Sequence, residues 1–215
     1  MPDLASLRLD YSAQSLDEHE VDRDPVRQFS NWFDQAAAAE LREPNAMTLA
    51  TATREGVPSA RVVLLKEFDE RGFVFYTNYA SHKGRELAAN PNAALVFFWN
   101  ELARQVRVQG LVEKVTRGES EAYFNVRPVK SRFGAAVSPQ SSPVPGGRKW
   151  LEERMAALEA EFGEQGPPCP EQWGGYRLAP HAIEFWQGRR SRLHDRVLYS
   201  RGQAAGSWII TRLAP

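Results

Sequence analysis

The chain has 215 residues, of which 42% are hydrophobic and 25% charged, a composition typical of a globular protein with its own core. Its 27 Lys and Arg residues equal its 27 Asp and Glu residues, so the formal net charge is zero. This balance argues against a nucleic-acid or anionic-membrane partner, and any bound anion must be held by a local cluster of cations. The single cysteine, Cys169, excludes an intrachain disulfide.

The N-terminal segment differs from the rest of the chain. Residues 1–23 are polar and lack the periodicity of a helix or strand, and we interpret them as a flexible arm. Residues 24–215 are interpreted as a single domain. The N-terminus carries no basic leader followed by an apolar stretch, and no segment approaches about 18 consecutive apolar residues. These features predict a cytoplasmic protein without a membrane span.

N-capping residues and apolar residues at helical spacing predict several helices. The first begins at Asp24-Pro25, and two more cover residues 81–90 and 116–126. A fourth contains Leu151, Met155, Leu158 and Phe162 at helical spacing and is closed by Gly163. In the first, Asp24 is the expected N-cap and Pro25 the first helical residue. Pro128 is expected to open one more helix, whose first turn presents Ser131.

Runs rich in Val, Phe, Thr and Leu predict the strands of an antiparallel sheet. These runs are 46–53, 58–65, 73–77, 93–99, 104–115, 175–178, 182–186, 196–199 and 207–213. Two short turn sequences, Arg54-Glu55-Gly56 and Asp69-Glu70-Arg71-Gly72, connect the first three runs and favour hairpins. The pattern predicts an α+β domain, in which an antiparallel barrel of roughly eight strands is decorated by helices.

Four polar clusters interrupt the strands or lie at their ends. In the first, two cations, Arg61 and Lys66, bracket the aliphatic residues Val62, Val63, Leu64 and Leu65. A spacing of five places the two cations on opposite faces of a regular strand, so they serve two ligands or the strand bulges between them. A core strand with ordinary polar ends is the alternative, and this segment alone favours it.

The second cluster lies where a strand leads into a capped helix. It comprises Phe75-Tyr76-Thr77-Asn78 followed by Ser81-His82-Lys83-Gly84-Arg85. Free backbone N–H groups at the helix start, with Lys83 and Arg85 beside them, suit a phosphate. A solvated basic helix face is an equally good interpretation of this segment alone.

The third cluster joins Tyr123 and Arg127, which are four residues apart and share one helix face, with Ser131 of the next helix. A phenol, a guanidinium and a hydroxyl that converge near a helix start would make a second anion site. A chance pairing on the surface is the alternative, and the spacing by itself does not decide between them.

The fourth cluster is the densest and holds four arginines and one histidine within residues 189–196. Arg192, His194 and Arg196 alternate, so in an extended segment all three side chains point the same way, with Trp186 on the preceding strand. Gathering so many cations is unfavourable without an anionic partner, which favours a functional over a purely structural His194.

Together these segments are similar to the pyridoxine/pyridoxamine 5′-phosphate oxidase family, from about Arg8 to Pro215. The resemblance rests on the order and spacing of the clusters and on Arg104-Gln105-Val106, Gln140-Ser141-Ser142, Trp173-Gly174-Gly175, Phe185-Trp186-Gln187-Gly188 and Arg212-Leu213-Ala214-Pro215. It implies a dimeric split β-barrel with FMN in clefts between the two subunits. It also implies oxidation of pyridoxamine or pyridoxine 5′-phosphate to pyridoxal 5′-phosphate, with hydride transfer to FMN and oxygen reduced to hydrogen peroxide.

The resemblance also implies roles for individual residues. FMN contacts fall on Arg61, Val62, Val63, Leu64, Leu65, Lys66, Tyr76, Thr77, His82, Lys83, Gln105, Gln140, Ser141, Trp186 and Arg196. The resemblance assigns binding of the substrate phosphate to Lys66, Tyr123, Arg127 and Ser131. It assigns contact with the pyridine ring to Arg192 and His194, which are the candidate catalytic residues. Arg8 and Tyr11 match residues of an arm that covers the substrate, and no metal is implied.

Two other functions stay open. A related class uses the same barrel and flavin for oxidations in phenazine biosynthesis. The cluster of Tyr123, Arg127 and Ser131, with Arg192 and His194, suits a phosphorylated pyridine better than a large aromatic acid. The second alternative is a module that binds flavin or pyridoxal phosphate without turnover, and release of peroxide would distinguish catalysis from such storage.

The chain departs from the family pattern at His82, where arginine is usual. Histidine titrates near neutrality, whereas arginine stays charged and donates two parallel hydrogen bonds to a phosphate. We therefore predict that His82→Arg tightens FMN binding, as measured by flavin titration of the apoprotein. Equal or weaker affinity of the variant would refute this expectation.

Overall fold

A computed structural model describes residues 14–204 and 206–215; the predicted arm residues Arg8 and Tyr11 lie outside them. The strands of this part are β1 (Ala46–Ala52), β2 (Pro58–Leu64), β3 (Glu67–Asp69), β4 (Gly72–Asn78), β5 (Asn92–Trp99), β6 (Arg104–Lys114), β7 (Trp173–Gln187), β8 (Asp195–Arg201) and β9 (Trp208–Arg212). The helices are α1 (Pro25–Ala38), α2 (His82–Ala89), α3 (Arg117–Val126), α4 (Val129–Val137) and α5 (Gly147–Phe162). Within these residues, no helix is both long and apolar enough to cross a membrane.

The strands form one antiparallel sheet in the order β2-β1-β5-β6-β7-β4-β3, with β8 paired to β7 and β9 to β8. Only Leu65 and Lys66 connect β2, at one edge, with β3, at the other edge. The three steps from Leu64 to Glu67 span at most about 11 Å. Seven strands side by side in a flat sheet would spread over about 29 Å. The sheet must therefore curl until its edges meet, which produces an open barrel.

Helix α1 packs its apolar face against the core of the curled sheet. The Asp24 side chain accepts a hydrogen bond from the backbone N–H of Val26, which confirms Asp24 as the N-cap. Phe29 is fully buried, and its ring centroid lies 4.9 Å from those of both Phe68 and Phe73, edge to face. Burial of one such side chain contributes about 1.5–3 kcal/mol. α1 is thus held to the sheet by aromatic packing.

The other predicted helices are confirmed by their caps. Ser81 caps α2 by accepting from the N–H of Gly84, and Thr116 forms a reciprocal capping box with Glu119 at the start of α3. Gly163 follows α5 as predicted. Pro128 is the N-cap of α4 and not its first helical residue, a shift of one position.

Two expectations about the strands were wrong. The predicted runs 175–178 and 182–186 are one strand, β7, whose ladder with β6 continues across a register shift at Gln109 and Gly110. Proline usually interrupts a strand, but Pro180 lies at this irregularity, where the ladder tolerates it. β3 was not predicted, because three residues are too few to show a period. The turn at Asp69 to Gly72 therefore joins β3 to β4, and the runs 58–65 and 73–77 do not form the expected hairpin.

The segment before β8 is not extended, which corrects the expected alternation of Arg192, His194 and Arg196. Arg190–Arg192 forms a short 3-10 turn, and β8 begins at Asp195. Ser191 and Arg192 both have left-handed backbones, with φ of 56° and 61°. A left-handed residue reverses the local direction of the chain, so Arg192 does not share the strand geometry of Arg196.

Residues 14–24 lie along β8 and β9. Leu16 is buried, and its N–H donates to Asp195 Oδ2 at 3.1 Å, while Arg212 Nη2 donates to the Leu16 carbonyl at 3.0 Å. The Tyr199 hydroxyl donates to the Asp22 carbonyl at 2.8 Å. These contacts bring the start of the described chain close to the turn that carries His194.

Candidate active site

A cavity of about 530 Å³ lies where the two edges of the sheet approach each other. Its walls are formed by Val62, Val63, Leu64, Lys66, Tyr76, Thr77, Asn78, Lys83, Tyr123, Arg127, Ser131, Gly134, Ala135, Ser138, Gln140 and Trp173. Among the described residues, the lining contains three cationic side chains and no carboxylate. In a chain of zero net charge, this local excess of positive charge marks a site for an anion.

One end of the cavity is built at the start of α2. The buried Lys83 directs Nζ toward Thr77 Oγ1 at 3.2 Å and Gln140 Oε1 at 3.4 Å. Burial, and secondarily the charge of Arg61, lowers the pKa of Lys83. Both partners of the ammonium group are neutral, so its charge stays available to a ligand at the N-terminus of α2.

The other end is built where α3 meets α4. Arg127 follows α3, Tyr123 lies one turn earlier, and Ser131 lies in the first turn of α4. Burial lowers the pKa of Arg127, and its Nη1 is buried without a hydrogen-bond partner among the described residues. A buried donor left unpaired costs about 1–3 kcal/mol. A bound anion would remove this cost.

The residues of the cavity therefore fit a phosphorylated ligand. In the part of the chain that the structure describes, no carboxylate lies within ion-pair distance of Lys66, Lys83 or Arg127. Burial raises the pKa of Tyr76 to about 12, so its hydroxyl stays protonated and can donate to an anion. Guanidinium, ammonium and hydroxyl groups are donors from which phosphate oxygens accept hydrogen bonds in proteins.

Arg61 and His82 have a different environment from the three cavity cations. Both contact the buried Glu86, whose Oε2 lies 3.3 Å from Arg61 Nη2 and whose Oε1 lies 2.9 Å from His82 Nε2. Thr51 and Ser59 donate to Oε2 at 2.5 and 2.6 Å. Burial by itself raises the pKa of Glu86, but hydrogen bonds from Ser59, Thr51 and His82 lower it to about 2. Neither Arg61 nor His82 lines the cavity.

Lys66, the last residue of the first predicted cluster, lines the cavity. Arg61 lies in β2 and faces Glu86, whereas Lys66 lies beyond the end of β2, in the link to β3. The two cations thus face different surroundings, but the reason is that Lys66 lies outside β2 and not that the two alternate along one regular strand. Leu65 between them is buried in the hydrophobic core and does not line the cavity.

A second group of predicted residues lies on the sheet itself. Gln105, Trp186 and Arg196 are successive cross-strand neighbours on β6, β7 and β8. Arg196 donates through Nε to Glu184 Oε1 at 2.8 Å, and the Trp186 and His194 ring centroids are 4.7 Å apart. This row of side chains does not line the cavity of the same chain.

The remaining predicted residues are also outside the cavity lining. Arg192 is exposed on its left-handed turn, and Ser141 is exposed next to Gln140 with φ of 66°. His194 Nδ1 accepts from the Arg189 N–H at 3.1 Å. One chain therefore brings Lys66 and Arg127 together but not Arg192.

Trp173 and Glu86 are among the residues near the site that were not predicted to have a role. Trp173 was used only as part of a motif, and no single-residue signal connects it with Arg127. Glu86 lies four residues after His82, so helical spacing could have indicated that pair. Its contacts with β1 and β2 join segments too distant in sequence for spacing to reveal them.

An open antiparallel barrel with a cationic cavity at its seam defines a split-barrel protein whose cavity suits an anionic ligand. Residues 33–161 match the family model described as pyridoxamine 5′-phosphate oxidase. Residues 173–215 match the model for the pyridoxine 5′-phosphate oxidase C-terminal dimerisation region. The chain therefore belongs to the pyridoxamine 5′-phosphate oxidase family.

Individual relatives agree with the family match. The pyridoxine/pyridoxamine 5′-phosphate oxidase of Ralstonia pickettii is 60% identical over 215 residues, the whole of both chains. The one of Trichormus variabilis is 58% identical over 212 residues, 99% of this chain and 98% of that protein.

Solved structures confirm the predicted α+β split-barrel fold. PhzG from Burkholderia lata, in complex with tetrahydrophenazine-1-carboxylic acid, is similar with a TM-score of 0.89 and 32% identity, over 96% of this chain and all of that chain. A pyridoxamine 5′-phosphate oxidase-related, FMN-binding protein from Nostoc punctiforme has a TM-score of 0.73 over 91% of this chain and all of its own. At 17% identity, this second likeness shows the fold alone.

The low pKa of Glu86 predicts a pH-dependent contribution to stability. A folded-state pKa of about 2, against an ordinary 4.5, stabilises the fold above pH 4.5, and this contribution is lost as the pH falls toward 2. We expect Glu86→Gln to reduce the free energy of unfolding at pH 7 by about 3 kcal/mol, and by progressively less below pH 4.5. Urea unfolding at pH 7 and pH 3 measures both values.

The matched control is Glu153→Gln on the exposed face of α5, where the carboxylate is 65% exposed. Surface ion pairs contribute little, so this variant should stay within about 0.5 kcal/mol of the parent protein. A deficit in Glu86→Gln that is the same at both pH values would contradict the assigned cause.

Proposed function

We propose that this protein oxidises pyridoxamine 5′-phosphate and pyridoxine 5′-phosphate to pyridoxal 5′-phosphate, with FMN as cofactor and molecular oxygen converted to hydrogen peroxide. The observation that carries the proposal is a cavity in which Lys66, Lys83 and Arg127 meet and which no carboxylate of residues 14–204 and 206–215 lines. Relatives 57–60% identical over the full chain bear the name of this oxidase, which supports this substrate class.

The cavity offers a separate set of donors for each of two phosphorylated molecules. We assign Tyr76, Thr77, Lys83 and Gln140, together with the β2 residues Val62, Val63 and Leu64, to FMN, and Lys66, Tyr123, Arg127 and Ser131 to the substrate phosphate. Each set contains at least one cation, so neither phosphate depends on charge supplied by the other set.

The chain's contribution to the reaction is mainly alignment. When bound, FMN supplies the redox chemistry by accepting a hydride from the 4′ carbon of the substrate. Lys66, Arg127 and Ser131 hold the substrate at its phosphate, which limits the positions that its ring can take. The rings of Tyr76, Tyr123 and Trp173 stack along one wall of the cavity.

Arg192 and His194 are assigned to the amine or hydroxyl of the substrate. Because His194 Nδ1 accepts a hydrogen bond from the Arg189 N–H, the neutral ring carries its proton on Nε2. Nε2 is therefore the atom at which His194 would exchange a proton with the substrate. Arg192 adds a fixed positive charge that orients the same group.

A second copy of the chain would complete this site. Phe98, which pairs with Gln105 in the row that continues to Trp186 and Arg196, is 57% exposed. The exposed ring leaves apolar surface in contact with water, and a second copy of the chain would cover it. Because residues 173–215 match a dimerisation region, we propose a homodimer in which the partner's row and its Arg192 turn face the cavity.

The alternative of a phenazine-type oxidation is supported by the likeness to PhzG, at 32% identity. The donor set of this cavity, with Lys66, Arg127 and Ser131 on one side, favours a phosphorylated substrate. Identities near 60% to the named phosphate oxidases support the same choice.

The test begins with the absorption spectrum of the purified protein, which should show bound flavin. Anaerobic addition of pyridoxamine or pyridoxine 5′-phosphate should bleach the flavin band, and admission of air should release peroxide. A flavin-loaded protein that neither phosphorylated substrate bleaches would refute the oxidase function. Bleaching without peroxide in air would refute oxygen as the acceptor.

The positive charge of Arg192 is expected to affect turnover but not FMN binding. Replacing Arg192 by methionine keeps an unbranched apolar stem and removes the guanidinium and its charge, so turnover should fall by about a hundredfold while FMN affinity stays within about twofold. Stopped-flow reduction of the flavin and a flavin titration measure the two quantities. Arg190→Met, on the same exposed turn, is the control and should leave turnover unchanged; an unaltered rate in Arg192→Met would remove Arg192 from the mechanism.

A further inference from the structure

Trp173, the first residue of β7, forms a stack with two tyrosines along one wall of the cavity. Its indole plane is 14° from that of Tyr76, at a centroid distance of 5.4 Å, and 9° from that of Tyr123, at 6.2 Å. The two tyrosine rings stack at 4.0 Å. Trp173 is only 6% exposed, so its ring position is set by its protein neighbours.

The same indole ring lies under the guanidinium of Arg127. The Arg127 Cζ atom is 4.7 Å from the centroid of the Trp173 ring and 5.6 Å from that of Phe124. Phe124 in turn packs edge-on against Trp173 at 5.0 Å and 70°. The orientation of Arg127 is thus determined by aromatic faces, of which tryptophan offers the strongest attraction for a cation.

The choice of an aromatic partner has a consequence for anion binding. A carboxylate that oriented Arg127 would also neutralise it and compete with a phosphate for the same N–H groups. An aromatic face orients the guanidinium and leaves its charge and its in-plane donors available. The buried, unpartnered Nη1 of Arg127 is consistent with a donor kept for a ligand.

The two glycines after Trp173 allow this arrangement. A Cβ atom on Gly175 would lie 2.8 Å from Tyr76 Cε1, so the tyrosine ring could not lie flat against the strand. A Cβ atom on Gly174 would lie 2.1 Å from the Tyr79 hydroxyl. The Trp-Gly-Gly sequence thus provides one large ring followed by the space that the neighbouring rings need.

We propose that Trp173 is a positioning residue for recognition of the substrate phosphate, because it orients Arg127 by a cation–π contact and Tyr123 by stacking. The proposal rests on the proposed function, in which Arg127 and Tyr123 bind that phosphate. Trp173 itself need not touch the phosphate. Its effect is therefore expected in the affinity for phosphorylated ligands and not in the rate of flavin reduction at saturation.

The test compares Trp173→Leu and Trp173→Phe in the FMN-loaded protein. Loss of a partly buried cation–π contact should raise KM for pyridoxamine 5′-phosphate about tenfold in Trp173→Leu and about threefold in Trp173→Phe, with kcat within about twofold. Binding of pyridoxal 5′-phosphate, followed by calorimetry without turnover, should weaken by the same factors. FMN affinity should weaken less than the affinity for pyridoxal 5′-phosphate, because Tyr76 is the one assigned FMN residue that stacks on the Trp173 ring in the described part of the chain.

Trp208→Leu is the matched control. The Arg201 guanidinium lies 4.0 Å from the Trp208 ring in the β8–β9 hairpin, so this variant also removes a cation–π contact but leaves the cavity intact. KM and the affinity for pyridoxal 5′-phosphate should both remain at the wild-type value. A second control is inorganic phosphate, whose competition against pyridoxal 5′-phosphate should weaken in the Trp173 variants and not in Trp208→Leu.

Several results would overturn the proposal. Trp173 has no positioning role if KM and pyridoxal 5′-phosphate affinity stay within twofold of wild type, or if Trp208→Leu loses as much affinity. If Trp173→Leu fails to fold or to retain FMN, the test relies on Trp173→Phe, which keeps an aromatic ring. A wild-type KM in Trp173→Phe would then refute the positioning role of Trp173. A wild-type protein that does not bind pyridoxal 5′-phosphate would instead refute the proposed function.

Discussion

The two-residue link between β2 and β3 is the constraint on which the rest of the molecule depends. Because this link joins opposite edges of the sheet, the sheet can form only by curling, and the core then packs beneath it. The seam where the edges meet is also where the cavity opens, and Lys66 of the link lines it. The geometry that closes the fold therefore places one of the cations of the candidate site.

The protein holds its cations near this seam in two different ways. Arg61 and His82 both contact the buried carboxylate of Glu86, which stabilises the structure and compensates the charge of Arg61. Lys83 and Arg127 are instead oriented by neutral groups. Hydroxyl and amide oxygens contact Lys83, and aromatic rings contact Arg127. Only the second arrangement leaves full positive charge facing the cavity, and this difference explains why an anion would bind there.

The candidate site is divided between two regions that one chain does not bring together. The cavity contains the phosphate donors, while Gln105, Trp186 and Arg196 form a row on the sheet beside an exposed Phe98. Under the proposed function, dimerisation is a condition for activity, since each cavity would need residues from the partner. Loss of the dimer would then abolish turnover even if each chain kept its fold.

Local signals in the sequence determined the helices, most strands and the family, because caps such as Asp24 and Ser81 and the alternation of apolar residues act between near neighbours. Eleven of the residues that the resemblance implied do line one cavity. Only the tertiary structure decided the continuity of β7 through Pro180, the left-handed turn at Arg192, and the partners of Arg61 and Arg127. These features depend on contacts between segments far apart in the chain, whose energies no local spacing encodes.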